Sequence, residues 1–331
     1  MLIRRLSLFF TVFALLLLGL SAPAHAKGTI AHLTSWNDGA TKQTITNFVT
    51  KAVTPESDGY IPPHLRIAVF DNDGTLLPER PYAQIDFAVQ RLREMAKNAP
   101  DLMDKEPYKT ALSNDISHME KVGSPFLLEL LLTTHGNMEK EDLAPLVKNF
   151  MATAKHPLLG KTYGELAYKP MLELLDYLRA NGFSTFICTG GTTDFVRAYA
   201  LELYGIPPQN VIGTSFRMEL TQKDGRSVLW VKPELNAYND KTYKPVAIDS
   251  HIGLRPVITV GNVYSGGDVA MLSYGASHTQ SPSLQLLLHH DDAARELAYD
   301  EPNNVSLTAA REQGWTVISM KKDWSTIFGG K

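Results

Sequence analysis

A short apolar run, Ile67 to Phe70, stops at two carboxylates one residue apart, Asp71 and Asp73, and Gly74 and Thr75 follow at once. Four consecutive apolar residues bounded by turn formers read as a buried strand. Side chains at positions i and i+2 of an extended segment lie on one side. Two carboxylates so spaced at the carboxyl end of a buried strand can therefore converge on one point. There one can attack a phosphorus atom while the other handles a proton, and both can touch a divalent cation. The plainer alternative is a strand followed by a tight turn, because Asn72-Asp73-Gly74 is also good turn chemistry.

The rest of the chain alternates strands and helices around one long interruption. A helix is expected near Thr41 to Val53, and Ser57 to Pro63 is a turn-rich approach to the first strand. From about 80 to 165 the periodicity is helical throughout, with apolar stripes at Phe87, Leu92 and Met95 and at Phe126, Leu127, Leu130 and Leu131. No strand is expected there. Alternation resumes with a helix over Met171 to Ala180, a strand over Thr185 to Thr189 and a helix over Asp194 to Tyr204. Strands are then expected at Val211 to Met218 and Ser227 to Lys232, around the turn Lys223-Asp-Gly-Arg226. Pro256 to Gly261, Leu284 to His289 and Thr316 to Met320 are further strands, and Val269 to Tyr274 is a short helix. Repeated βαβ units predict an α/β fold, a Rossmann-like doubly wound parallel sheet with ligands at the carboxyl ends of its strands. Asp71, Thr189 and Gly261 fall at such ends.

A second element with chemical potential is Phe186-Ile-Cys-Thr-Gly-Gly-Thr-Thr193. A hydroxyl and main-chain N–H groups where a strand gives way to a helix make an anion site; ordinary strand–Gly-Gly–helix turn structure is the competing reading. Cys188 is the only cysteine. No intramolecular disulfide is possible, and its apolar neighbours make it a core residue rather than a nucleophile.

The Asp71-Asn-Asp-Gly-Thr75 segment resembles the first motif of the haloacid dehalogenase superfamily, and Thr189 with Gly190 resembles its phosphate-binding second motif. The resemblance implies a lysine ahead of the last motif, for which Lys241 and Lys244 are candidates; Lys244, followed by Pro245, fits best. The segment Val257-Ile-Thr-Val-Gly-Asn-Val-Tyr-Ser-Gly-Gly-Asp-Val-Ala-Met-Leu272 is similar to the last motif, with two departures. Asn262 stands where many members have a carboxylate, and about two additional residues, Val263 and Tyr264, lengthen the loop before Asp268. Softer likenesses to a phosphoserine-phosphatase-like bacterial subfamily are Ser35 to Gly39 and His289 to Asp292. The latter is either a site rim or a turn in which Asp291 or Asp292 caps a helix.

The resemblance implies a phosphomonoesterase acting on small phosphorylated metabolites, with phosphoserine one option. Asp71 would be the nucleophile and Asp73 the acid and base. Thr189, Gly190 and Lys244 would bind phosphate, and Mg²⁺ would be held by Asp71, Asp73, Asp268 and Asn262. The core would comprise residues 27–79 and 166–331, with a helical cap over 80–165. Glu79 and Arg80 at the cap's entry would meet a substrate's amine or carboxylate, or form a surface ion pair at a helix start. Asp73 disfavours a dehalogenase, and the N-terminus disfavours a phosphomutase. A non-catalytic phosphate- or metal-binding protein is the third reading, prompted by Asn262 and the longer loop.

That N-terminus carries Arg4 and Arg5, an apolar run from Leu6 to Leu20 and the Ala24-His-Ala26 site, the pattern of a cleavable signal peptide over residues 1–26. The expected location is periplasmic or secreted, with no stable membrane anchor after cleavage. Of 32 basic side chains two lie in this segment, leaving 30 against 35 acidic ones, a net charge of −5. Such a balance, without a basic run, gives no nucleic-acid surface.

Overall fold

All four side chains of Ile67–Phe70 are buried, as a strand covered on both faces requires. The computed structural model describes residues 33–329 apart from 107, 114–123 and 265; the expected signal peptide lies outside the described residues. The strands are β1 (Ile67–Phe70), β2 (Met138–Glu139), β3 (Ser184–Thr192), β4 (Val211–Lys223), β5 (Arg226–Ala237), β6 (Ile258–Asn262), β7 (Leu284–His289) and β8 (Thr316–Ser319). They form one sheet in the order β2-β5-β4-β3-β1-β6-β7-β8. β1 pairs in parallel with β3 on one side and β6 on the other. Parallel pairing continues to β4, β7 and β8. The chain thus visits one flank of β1 and then the other, which opens a crevice at the carboxyl ends of β3, β1 and β6.

Alternate residues of β1 feed two different cores, as the period of two dictates. Ala68 and Phe70 join the larger cluster with Leu174, Leu175, Tyr199 and Tyr204. Ile67 and Val69 join the other with Ile248, Met271, Leu272 and Trp315. The expected Rossmann-like α/β architecture is present, but the sheet is mixed rather than wholly parallel. β4 and β5 form a long antiparallel hairpin, and β2 adds to its outer edge, Met138 opposite Val231. β2 lies inside the segment expected to be all helical. A two-residue strand is too short to show an alternation pattern.

That segment otherwise folds into helices, chiefly Ala83–Ala96, Ser124–His135 and Lys140–Thr153. Ala88, Val89, Leu92, Ala111 and Leu130 make a small core of its own. Phe87 also packs against Phe150 at 5.5 Å and Phe195 at 5.4 Å between ring centroids, so the insertion is seated on the helix Thr193–Tyr204. Near the start of the described chain, Ser35 donates from N and Oγ to Glu173, at 2.8 and 2.7 Å. Trp36 Nε1 donates to the Pro170 carbonyl at 2.8 Å. These bonds tie the Ser35–Gly39 segment to the helix Lys169–Ala180, which is a structural role. Among the described residues no helix is long and apolar enough to cross a membrane.

Candidate active site

Asp71 leaves the end of β1 with its N–H bonded to the Val260 carbonyl of β6 at 2.8 Å. Its Oδ1 accepts from Lys244 Nζ at 2.7 Å, and the same ammonium donates to Asp268 Oδ1 at 2.6 Å. Lys244 comes from the first turn of the helix Tyr243–Ile252 and is only 3% exposed. Of the two candidate lysines it is the one brought to the carboxylates; Lys241 is exposed. Burial depresses the Lys244 pKa, but Asp268 and Asp71 outweigh it and hold the ammonium well above the usual lysine range. Burial, with repulsion from Asp268, pushes the Asp71 carboxyl well up against the pull of Lys244. Burial also raises Asp73. Exclusion of water is the first cause acting on all three groups, and perturbed titratable groups of this kind are candidates for proton transfer.

Thr189 and the residues after it belong to β3, which continues to Thr192 instead of stopping at Thr189. The pairing with β4 is irregular between Cys188 and Thr192, a local distortion of the kind that re-aims side chains at sites. Thr189 Oγ1 accepts from the Gly191 N–H at 2.9 Å and lies 3.5 Å from Asp73 Oδ2. Gly190 is exposed, with its carbonyl accepting from Thr214 Oγ1 at 2.8 Å. Asp71, Asp73, Thr189 and Gly190 are therefore at the ends of the neighbouring strands β1 and β3, and Lys244 reaches Asp71 from its helix. Cys188 is fully buried behind them, and burial pushes its thiol up to about 12, consistent with its expected core role.

The metal set is where geometry departs most from expectation. Both oxygens of Asp268 are engaged, Oδ1 by Lys244 and Oδ2 by the Asn262 N–H at 3.0 Å. Asp268 thus holds the lysine and closes the lengthened loop onto its own start; serving a cation would require giving up one of these bonds. No group of three or more His, Cys, Asp or Glu side chains is arranged to hold a metal among the described residues. The oxygen donors left are Asp71, the Asp73 carbonyl and Asn262 Oδ1, whose described contact is Thr75 Oγ1 at 3.5 Å. Oxygen-only donors suit a hard cation such as Mg²⁺, so the residue types fit, with one carboxylate fewer than expected.

Glu79 is not at the surface. It is 4% exposed, accepts from Asn262 Nδ2 at 2.9 Å and from Tyr299 OH at 2.5 Å, and enters no ion pair among the described residues. The surface ion pair expected at this helix start is absent for Glu79. Burial raises its carboxyl well above the usual range; the Tyr299 bond opposes this, and Asp71, Asp73 and Asp268 add to it. The Arg80 guanidinium lies over the rings of Tyr264 at 5.2 Å and Tyr299 at 5.0 Å.

Three supports went unread in the sequence. His290 Nε2 bonds the Gly74 carbonyl at 2.8 Å, so that nitrogen carries the hydrogen, while Nδ1 faces Glu296 at 3.2 Å. The buried imidazole stacks on Tyr299 at 4.3 Å and fixes the loop after β1. The likeness at His289 to Asp292 was the available signal. The neighbouring Asp291 accepts from Ser319 Oγ and the Lys321 N–H at 2.5 and 3.0 Å. Asp292 accepts from the Ala294 N–H at 3.2 Å and pairs with Arg295, which makes both turn residues. Gln84 accepts from the Thr192 N–H at 2.9 Å and donates to Thr192 Oγ1 and to His135 Nε2; it ties the insertion to the second motif. Asn239 Nδ2 holds the Thr189 carbonyl at 2.8 Å.

Two carboxylates at a switch point, a buried lysine bonded to one of them and a threonine hydroxyl at the neighbouring strand end form one cluster in an α/β fold with an inserted helical segment. Residues 68–271, more than half of the chain, match the haloacid dehalogenase-like hydrolases, and the chain belongs to that family. No curated protein matches it. Among solved structures, a conserved functionally unknown protein from Anaerococcus prevotii is similar at 16% identity and a TM-score of 0.53, over 84% of this chain and 91% of that one. That likeness concerns the fold. A protein of unknown function from Bordetella pertussis is similar at 17% identity and a TM-score of 0.48, over 76% of this chain and 97% of that one. A phosphoserine phosphohydrolase-like protein from Francisella tularensis is similar at 18% identity and a TM-score of 0.38, over 74% and 98%.

Proposed function

We propose that this hydrolase is an exported, Mg²⁺-dependent phosphomonoesterase acting on small phosphorylated metabolites through an aspartyl-phosphate. The observation that carries this reading is the buried Lys244 ammonium, 2.7 Å from Asp71 and 2.6 Å from Asp268, beside Asp73 and Thr189. Asp71 attacks phosphorus as the bond to the leaving oxygen breaks. Asp73, with its carboxyl raised by burial, gives its proton to that oxygen and then takes one from the water that hydrolyses the acyl phosphate. Thr189, the Gly190 N–H and Lys244 receive the transferring oxygens. Asp71, the Asp73 carbonyl and Asn262 would hold the cation, with Asp268 kept on Lys244. When bound, it offsets the repulsion between a carboxylate and a phosphate dianion.

Residues 80–165 act as the cap over a core of 27–79 and 166–331, excluding water and selecting substrate. Phosphoserine stands as a candidate substrate on the sequence resemblance. Export to the periplasm or medium, with cleavage after Ala26, rests on the N-terminal pattern and is checked by sequencing the exported protein, which should begin at Lys27. Asn262 and the fully engaged Asp268 favour one second reading, a phosphate- or metal-binding protein without turnover.

Phosphate release from an aryl phosphate, measured with Mg²⁺, with chelator and with Asp71→Asn, separates the two. Activity should require the metal and fall about 10⁴-fold or more in the variant. Folded protein that binds Mg²⁺ and phosphate but releases none from a panel of phosphomonoesters would establish the binding reading instead.

A further inference from the structure

We propose that Glu79 supplies, from a separate loop, the negative charge that Asn262 lacks, and that it sets the orientation of the Asn262 amide at the divalent-cation site. This rests on the metal-dependent reading above. Asn262 ends β6, directly beside the end of β1. Its side-chain nitrogen donates to Glu79 Oε1 at 2.9 Å. An amide that gives its NH₂ to a carboxylate must turn its oxygen the other way, so Glu79 fixes the side on which Oδ1 is offered. Tyr299, donating to the same Oε1 at 2.5 Å, holds the carboxylate in place, and the ring of His290 backs Tyr299.

The charge balance points the same way. Asp71, Asp268 and Glu79 are all buried, Asp268 and Glu79 are both bonded to Asn262, and Lys244 is the ammonium bonded to Asp71 and Asp268. A carboxylate buried without a cation is costly unless it is paired. Among the described residues Glu79 has hydrogen-bond donors but no ion pair. A divalent ion between Asp71 and Asn262 would give that charge a partner. Glu79 is then a positioning residue one step behind the ligands, of the kind whose loss weakens metal affinity.

The test is Mg²⁺ calorimetry on the wild-type protein, Glu79→Gln, Asn262→Asp and the double variant. E79Q keeps the shape and the acceptor oxygen and removes the charge; its Mg²⁺ Kd should rise about 10- to 100-fold. Asn262→Asp should improve affinity far more in the E79Q background than in the wild type, bringing the double variant to within about threefold of wild type, the signature of two groups sharing one role. Unfolding midpoints in chelator check that each variant is folded. Tyr299→Phe, which removes the hydroxyl that holds Glu79 in place, should weaken Mg²⁺ binding in the same direction.

Wild-type protein that binds Mg²⁺ while E79Q binds equally well would overturn the inference and leave the proposed function standing. So would independent, multiplicative effects of the two substitutions, or a change in substrate KM with an unaltered Mg²⁺ Kd. Wild-type protein that binds no Mg²⁺ would overturn the metal-dependent reading and this inference together.

Discussion

The centre of the sheet and its hairpin edge use the same chemistry under opposite conditions. At the ends of β1 and β6, Lys244 sits between Asp71 and Asp268 with almost no exposure. Along β4 and β5, Arg217 pairs with Glu234 at 3.0 Å and Lys232 with Glu219 at 2.7 Å. Distances at the two places are alike, yet the central charges are held away from water and the hairpin charges lie in it. Solvent screens an exposed pair to a small net effect. A buried pair carries a large desolvation cost, and losing one partner leaves that cost uncompensated. Similar ion-pair geometry therefore marks a site only where water is excluded.

Lys244→Met should produce the largest stability effect. It leaves Asp71 and Asp268 buried beside an apolar side chain, and removal of one member of such a cluster costs about 3–5 kcal/mol. Urea unfolding in chelator measures it, since a bound cation would replace part of the lost charge. A loss under about 1 kcal/mol would mean that the centre behaves like the edge, and the contrast would fail.

Two glycines sharpen the same contrast with backbone conformation held constant. Gly74 in the loop after β1 has φ +75° and Gly225 in the β4–β5 turn has φ +72°. A Cβ at Gly74 would fall 2.1 Å from Asn262 Nδ2 and 2.8 Å from Glu79 Cδ, whereas at Gly225 it would meet nothing within 4 Å. Gly225→Ala should cost only the left-handed strain, about 1–2 kcal/mol. Gly74→Ala adds overpacking of buried groups and should cost roughly 2–5 kcal/mol. Paired denaturation curves give the difference directly. Equal losses would show that the loop after β1 is free to relax.

How legible each region is in the sequence follows from the range of its contacts. Asp71 and Asp73 can be read because a spacing of two fixes their side of a strand, and the hairpin because Asp224-Gly225 specifies its turn. Lys244 needed the family pattern to choose it over Lys241. The partners of Asp268 could not be read, because they depend on how the loop between Asn262 and Val269 closes. Glu79 is buried by Asn262 and Tyr299, 183 and 220 residues away, and no local periodicity encodes that. Gln84 left a usable trace. It lies three residues before Phe87 on the same helical stripe, and a polar residue on an apolar face calls for a buried partner.

The smallest expected effect is the one that tests the comparison from its other side. Arg217 and Glu234 are 68% and 54% exposed, and their strands are already joined by the β4–β5 ladder. Water solvates either side chain when the other is removed, so no uncompensated charge is left. Holding two long side chains together also costs conformational entropy that cancels part of the attraction. Arg217→Ala should therefore change stability by less than about 0.5 kcal/mol at moderate salt, with Mg²⁺ affinity and phosphate release unaltered. A loss near that of Lys244→Met would mean that the hairpin charges act as a connected network with Glu139 of β2, to which Lys223 and Arg226 also reach at 2.6 and 3.4 Å. The edge of the sheet would then hold the inserted segment in place electrostatically, and charge density rather than burial would be the property separating the two regions.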